Sequence, residues 1–155
     1  MSFPDKKGES MSAVTLLCTD RPMPLYDSGV RRVETSSHGG YTVSIETEGF
    51  SVRENSYYRP AVDELGLDLK PCQYELNLRT TREDAAELRA YLAKNLRPGE
   101  TAELWHLWVG SDREERIPRF RGRLADLDGE TLEQFCNPPL PRPRTPWQCR
   151  MIIEI

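Results

Sequence analysis

The spacing of hydrophobic residues changes twice within residues 71–127, and each change marks a different kind of element. Residues 72–79 alternate between polar and apolar with a period of two, which is typical of a strand. Residues 81–96 follow a helical period, and residues 102–109 and 119–124 return to the composition of strands. This order of strand, helix, strand and strand predicts an α+β domain built on a mostly antiparallel sheet.

The predicted helix at residues 81–96 has clear start and end signals. Thr80 or Thr81 can cap its first turn, because Glu83 follows Thr80 at the spacing of a capping box. The Pro98-Gly99 pair ends it. An apolar stripe runs along the helix and consists of Leu88, Leu92 and Leu96, with Ala85 and Tyr91 beside them. We expect this main amphipathic helix to pack on one face of the sheet.

The strand predicted at residues 102–109 is apolar on both faces. One face carries Trp105, Leu107 and Val109, and the other carries Leu104, His106 and Trp108. Such a strand is either central and covered on both sides, or it presents aromatic surface to a partner. The pattern alone is compatible with both arrangements.

The remaining elements predict a single sheet of about six strands. Tyr41, Val43 and Ile45 alternate with polar residues and are expected to point inward. Residues 19–40 carry turn signals and are interpreted as irregular. The other expected elements are strands at 13–18, 50–53 and 147–155, a hairpin joining 41–46 to 50–53, a helical turn at 61–65, a short second helix at 131–136, and an extended Pro-rich crossover at 138–146.

Length and charge limit the function classes. The chain has 155 residues, enough for one domain, and we expect a disordered N-terminal tail at residues 1–12 followed by a single α+β domain at residues 13–155. The net charge of −4 argues against broad attraction to nucleic acid or anionic lipid. No apolar run approaches the ~20 residues of a membrane span, and no export signal is visible, so a cytoplasmic protein is expected.

The cysteines give no sign of a metal site or of a disulfide framework. Cys18, Cys72, Cys136 and Cys149 are scattered, and none of them forms a Cys-x-x-Cys pair. Structural zinc ligands come in closely spaced pairs. We therefore expect reduced thiols, no bound metal and no cofactor.

Two hypotheses about function follow from the remaining chemistry. The chain lacks phosphate-binding glycine motifs, the His-Glu-x-x-His motif and the Gly-x-Ser-x-Gly motif, so no catalytic residue is assigned. The first hypothesis is therefore a small acidic protein-binding module, such as an immunity protein or an inhibitor that neutralises a partner enzyme or toxin. The alternative is a small enzyme or ligand-binding domain with a pocket around His106, Trp108 and Arg121.

The candidate partner-binding residues combine aromatic anchors with charge, as binding hot spots do. They are Glu46, Glu48, Glu54, Trp105, Trp108, Arg119, Arg121 and Arg123. The acidic residues suggest a basic protein partner that is attracted electrostatically. The arginines share one face of their strand and could bind phosphates or carboxylates, but they could equally pair with cross-strand acids such as Glu103 or Glu75.

Overall fold

The computed structural model describes residues 12–110 and 114–155. In chain order the elements are β1 Ser12–Thr19, β2 Tyr26–Asp27, β3 Arg31–His38, β4 Tyr41–Glu48, β5 Ser51–Glu54, α1 Arg59–Glu64, β6 Cys72–Asn77, α2 Arg82–Asn95, β7 Thr101–Val109, β8 Arg119–Arg123, α3 Gly129–Cys136 and β9 Cys149–Glu154. Apart from Ser12, which begins β1, the predicted tail at residues 1–12 lies outside the described residues.

The main sheet confirms the mixed α+β class and the mostly antiparallel pairing. It has seven strands in the order β2-β5-β6-β1-β7-β9-β8, and β3 and β4 form a separate two-stranded sheet. Every pair is antiparallel except β8 with β9, which is parallel. The prediction of about six strands in a single sheet was therefore only roughly correct. None of the helices within the described residues has the length and apolar character needed to cross a membrane.

Strand β7 is central, because it pairs with β1 on one side and with β9 on the other. Ala102 and Leu104 face the larger hydrophobic core, whereas Trp105, Leu107 and Val109 face a second, smaller core. All five are at most 4 % exposed. The strand that is apolar on both faces is thus covered on both faces, which decides between the two arrangements that the sequence allowed.

The larger core lies under α2 and α3. Leu88 and Leu92 are fully buried there, and Leu96 is 6 % exposed, as the predicted stripe requires. Thr81 caps α2, because its hydroxyl accepts a hydrogen bond from the Asp84 N–H at 3.1 Å. The hydroxyl of Thr80, the other predicted cap, donates instead to Glu133 of α3 at 2.8 Å and so links the two helices.

The smaller core lies on the opposite face of the sheet, under α1. Val62 is 2 % exposed and packs with Val14, Leu16 and Trp105. The helix begins at Arg59, earlier than the predicted turn, because Pro60 fits a first helical turn. Gly66 follows the helix with a φ of +66°, a conformation that favours glycine.

The hairpin prediction was wrong in its partner and in its orientation. Strand β4 pairs with β3, which lies inside the segment interpreted as irregular, whereas β5 pairs with β2 and β6 in the main sheet. Tyr41, Val43 and Ile45 are 80 %, 46 % and 58 % exposed instead of inward. The reason is that Phe50 and Val52 fill the core at this edge of the sheet, so no side chain of β4 is needed in the core.

Strands β8 and β9 are joined by α3 and the Pro-rich segment. A parallel pair needs a crossover of a dozen or more residues, and residues 124–148 provide one. Helix α3 begins at Gly129, two positions before the prediction, because Asp128 accepts a hydrogen bond from the Thr131 N–H at 2.8 Å in a capping box. Cys149, Met151 and Ile153 are buried on one face of β9, as the predicted alternation indicated.

The placement of α2 can be tested by truncating Leu92. We expect Leu92→Ala to lower the free energy of unfolding by ~2–5 kcal/mol, because it leaves a cavity in the larger core. Leu140→Ala makes the same chemical change at a position that is 48 % exposed and should stay within about 0.5 kcal/mol of the wild type. Urea titration measures both values, and equal midpoints for the two variants would contradict the placement.

Candidate functional site

His106 lies half-buried on the α2–α3 side of β7. Its Nδ1 is 3.1 Å from the hydroxyl of Thr15, and its ring meets those of Trp108 and Phe135 edge-on at 6.2 and 6.3 Å. Burial lowers the pKa of His106 below its ordinary value of 6.5. Within the described residues no carboxylate hydrogen-bonds to this ring, so the surroundings are those of a packing histidine.

The pocket proposed around His106, Trp108 and Arg121 does not form. His106 and Trp108 point to the side of the sheet that α2 and α3 cover. Arg121 is in register with Ile152, and Ile152 is in register with Glu103, so these residues share the opposite face. The three predicted pocket residues are therefore separated by the sheet itself.

Glu103 forms a buried ion pair that the sequence pattern did not reveal. It is 3 % exposed and accepts hydrogen bonds from Arg150 at 2.6 Å, from the Trp105 indole at 3.1 Å and from the Lys70 N–H at 3.2 Å. The Arg150 guanidinium also lies 5.6 Å from the centroid of the Trp105 ring. The arginines of β8 do not supply the partner that the sequence suggested for Glu103.

This ion pair lines the wall of a charged cleft of about 430 Å³. Lys70 in the cleft pairs with Asp20 at 2.5 Å, and Arg121 pairs with Glu154 at 2.7 Å. Most charged groups that line the cleft are thus in ion pairs, and Asp68 is a further carboxylate of the lining. The pair of Glu103 with Arg150 is the largely buried one, and such pairing is expected because unpaired buried charge is costly.

Among the described residues no cluster of three or more His, Cys, Asp or Glu side chains is placed to hold a metal ion. The cysteines are unbridged, and Cys18 and Cys149 are buried. Burial raises the pKa of Cys136 to about 11 and that of Cys149 to about 12, so both thiols are protonated at neutral pH.

The two candidate tryptophans differ in accessibility. Trp105 is 3 % exposed and belongs to the smaller core, so it does not offer surface to a partner. Trp108 is partly exposed and borders a cavity of about 600 Å³ with the Pro-rich segment. Its backbone N–H donates to the side-chain carbonyl of the buried Gln148 at 2.6 Å, and its backbone C=O accepts from the side-chain amide of Gln148 at 2.8 Å. These two bonds extend the connection between β7 and the residues at the start of β9.

The predicted arginine face lies on the edge strand β8. Arg119, Arg121 and Arg123 are exposed on the same side of the sheet as the charged cleft. Arg121 pairs with Glu154, and Arg123 approaches Asp126 at 3.5 Å. Phe120 points to the opposite face, where its ring centroid lies 5.9 Å from that of Phe135.

An apolar groove runs beside β8 on its other face. It has a volume of about 270 Å³. Its apolar lining consists of Phe120, Leu127, Met151 and Ile153 with Gly122 between them, and its rim is polar, with Arg121, Arg123, Asp126, Thr131 and Gln134. Gly122 leaves the groove open, since a Cβ at this position would meet nothing within 4 Å. The edge strand thus carries positive charge on one face and an apolar groove on the other.

At the far edge of the sheet, β3 and β4 form a projecting hairpin, here called the arm (residues 31–48). Its cross-strand register places Tyr41, Val43 and Ile45 on one face. Thr42, Ser44, Glu46 and Glu48 occupy the opposite face, because successive side chains of a strand alternate. Strand β4 is therefore apolar on one face and acidic on the other.

Ion pairs at the base tie the arm to the domain. Arg32 pairs with the buried Asp84 of α2, and Arg53 of β5 pairs with Glu48. Arg79 donates to Glu34 at 3.1 Å and to Thr47 at 2.6 Å. Of the three predicted acids, Glu46 and Glu48 belong to the arm, whereas Glu54 ends β5 in the main sheet.

A glycine at the base lets the arm leave the sheet. The Gly49 N–H donates to the carbonyl of Val30 at 2.8 Å, and a Cβ on Gly49 would lie 2.9 Å from that same oxygen. Only glycine fits this approach without displacement of the backbone. In the sequence this glycine falls in the turn of the hairpin predicted between residues 41–46 and 50–53, and the hydrophobic pattern gives no indication of the junction.

Comparison of the chain with protein-family models, with curated proteins and with solved structures found no match. The assignment of a function therefore rests on the chain's own residues.

The environment of His106 predicts a pH dependence of stability. The unfolded chain binds a proton on this residue more readily than the folded chain, so stability is fully present above about pH 6.5 and is lost as the pH falls toward the lower folded-state pKa. His106→Gln should flatten the dependence of the free energy of unfolding between about pH 7.5 and pH 5. His38→Gln, on the exposed arm, is the matched control and should keep the wild-type slope. An unchanged slope in His106→Gln would refute this assignment.

Proposed function

We propose that this chain is a small protein-binding module and that the arm is its docking element. The observation that carries the proposal is the exposure of Tyr41, Val43 and Ile45, which ranges from 46 % to 80 % on one face of the hairpin. A two-stranded hairpin is only marginally stable by itself in water. Contiguous apolar surface on a soluble protein commonly marks an interaction site.

The arm is suited to binding by strand addition. In this mode an exposed strand edge forms main-chain hydrogen bonds with a partner strand, and alternate side chains enter pockets. Strand β4 pairs only with β3 among the described residues, so its outer edge is open from Tyr41 toward the base of the arm, where the Asn77 side chain donates to the Glu48 carbonyl at 3.3 Å. Because one face of β4 is apolar and the other is acidic, the two faces would contact different kinds of side chain on a partner.

The acids of the arm favour a basic partner surface. Glu46 is exposed, and Glu48 is partly exposed beside it on the same face. Charges of one sign at an interface speed the association with a surface of opposite sign and lose that effect as salt is added. The class we propose is a protein that acts by occupying another protein, as immunity proteins and inhibitors do, in the cytoplasm where its thiols would stay reduced.

The interior supports binding rather than catalysis. Most ionisable groups of the charged cleft are engaged in ion pairs, such as Glu103–Arg150 and Lys70–Asp20. His106 is packed among aromatic rings and bonds to a hydroxyl rather than to an acid. The accessible chemistry therefore lies at the edges of the sheet.

Removal of the apolar side chains of the arm should abolish docking without unfolding the domain. We expect Val43→Ser/Ile45→Ser to lower partner retention at least ~10-fold, which corresponds to about 1.4 kcal/mol, in capture from the native host by a tagged chain. The unfolding midpoint should change little, because both side chains are exposed.

Leu140→Ser is the matched control, since it removes an exposed apolar side chain outside the arm. It should retain the same proteins, additional untagged copies of the chain included, as the wild type. Equal retention of every protein by the arm variant and the wild type would rule out the arm as the docking element.

A further inference from the structure

The outer edge of β8 is an open receptor for a strand. Alternate residues of a strand direct their N–H and C=O groups to opposite sides. The N–H of Arg150 in β9 donates to the carbonyl of Pro118 at 3.0 Å, so Phe120 and Gly122 also turn their backbone groups toward β9. The backbone groups of Arg119, Arg121 and Arg123 consequently face outward. Strand β8 ends the sheet, so no strand among the described residues covers that edge.

The two faces of this receptor differ in chemistry. A strand added beside β8 would place alternate side chains over the exposed arginines and the others beside the apolar groove. Acidic side chains suit the first position, because guanidinium groups bind carboxylates by charge and by paired hydrogen bonds. Aliphatic side chains suit the second, next to Phe120 and the open space at Gly122. The receptor thus selects an extended segment with alternating acidic and aliphatic residues.

Strand β4 of this same chain alternates apolar and polar residues in its first part and carries two acids, Glu46 and Glu48, at its end. Val43 and Ile45 project from one face, and Glu46 and Glu48 project from the other. Both aliphatic side chains are about half exposed or more, at 46 % and 58 %, and are thus available to a groove. An added strand shares its faces with its neighbour, so the acids would lie over the arginines when the aliphatic pair enters the groove.

Pairing within one copy is not the arrangement observed. The arm leaves the sheet between β2 and β5, and β8 closes the opposite edge beyond β6, β1, β7 and β9. At ~4.8 Å per strand the two edges are more than about 20 Å apart. The tip and middle of the arm are exposed, with Tyr41 at 80 %, and do not cover β8.

We infer that β4 of one copy adds as a strand to the outer edge of β8 in a second copy. The arm of one copy is then bound by the arginine-bearing edge of the other. This inference rests on the proposed function and names its partner as the chain itself. The contact joins two different surfaces, so it is heterologous and generates a ring or an open chain of subunits rather than a closed dimer.

Two variants each disable one half of the contact. Val43→Asp/Ile45→Asp places charge on the apolar face of the arm and leaves β8 intact. Gly122→Leu fills the groove and leaves the arm intact; the added Cβ meets no atom within 4 Å, and the φ of Gly122 lies outside the positive region. Thr42→Asp/Ser44→Asp is the control for the arm variant, because it adds the same charge on the face that meets the arginines.

Sedimentation velocity over a range of concentrations tests the inference with the full chain. The wild type should form species larger than a dimer that shrink as salt is added, since salt screens the contact between acids and arginines. Each blocked variant should be monomeric alone. Their equimolar mixture should give a heterodimer and nothing larger, because each pair has only one intact arm and one intact β8 edge. This outcome also shows that both variants are folded. The control should assemble at least as well as the wild type.

A wild type that stays monomeric at every concentration would overturn the inference. Assembly of Gly122→Leu alone would also overturn it and would indicate pairing between arms. In both cases the proposed function is judged separately, by whether Val43→Ser/Ile45→Ser loses captured partners. Assembly that persists in Val43→Asp/Ile45→Asp would also overturn the inference, because it would show that the apolar face of the arm is not part of the contact.

Discussion

The burial of β7 on both faces is the constraint on which the rest of the structure depends. Its nine residues Thr101–Val109 supply apolar side chains to both sides of the sheet, so two layers are needed to cover them. Helices α2 and α3 cover one side, and the short α1 with the segment after it covers the other. Because Glu103 belongs to this strand, its charge is also buried, and Arg150 from the neighbouring β9 neutralises it.

The two binding surfaces that we propose lie at the two edges of the sheet. One edge carries the arm, and the other is β8, and both combine an apolar face with a charged face. Exposed strand edges are normally blunted, because they invite pairing with other chains. The arginines of β8 blunt that edge against neutral or basic strands while they admit an acidic one. In the proposed contact the same residues would limit unspecific pairing and select the partner.

The elements with strong local signals could be predicted from the sequence, and those defined by long-range pairing could not. The helix α2 and the strand β7 follow from periodicity, because each has its apolar pattern and its own end signals. Strand β3 was missed because Val33 is its only aliphatic residue. The outward face of β4 was misjudged because alternation reports a two-sided strand and not which side is buried. The separation of His106 from Arg121, and the pairing of Glu103 with Arg150, depend on register across three strands, which no local pattern encodes.

Amide hydrogen exchange, measured at low and at high protein concentration, tests whether β7 is the stable centre of the fold and whether the arm and β8 pair between copies. Amides of β7 should be the most protected at both concentrations, because opening them requires global unfolding. Amides of Tyr41–Glu48 and Arg119–Arg123 should exchange fast in the dilute protein and gain protection together as the concentration rises. Protection of the arm equal to that of β7 in the dilute protein, or a gain confined to other segments, would contradict the account.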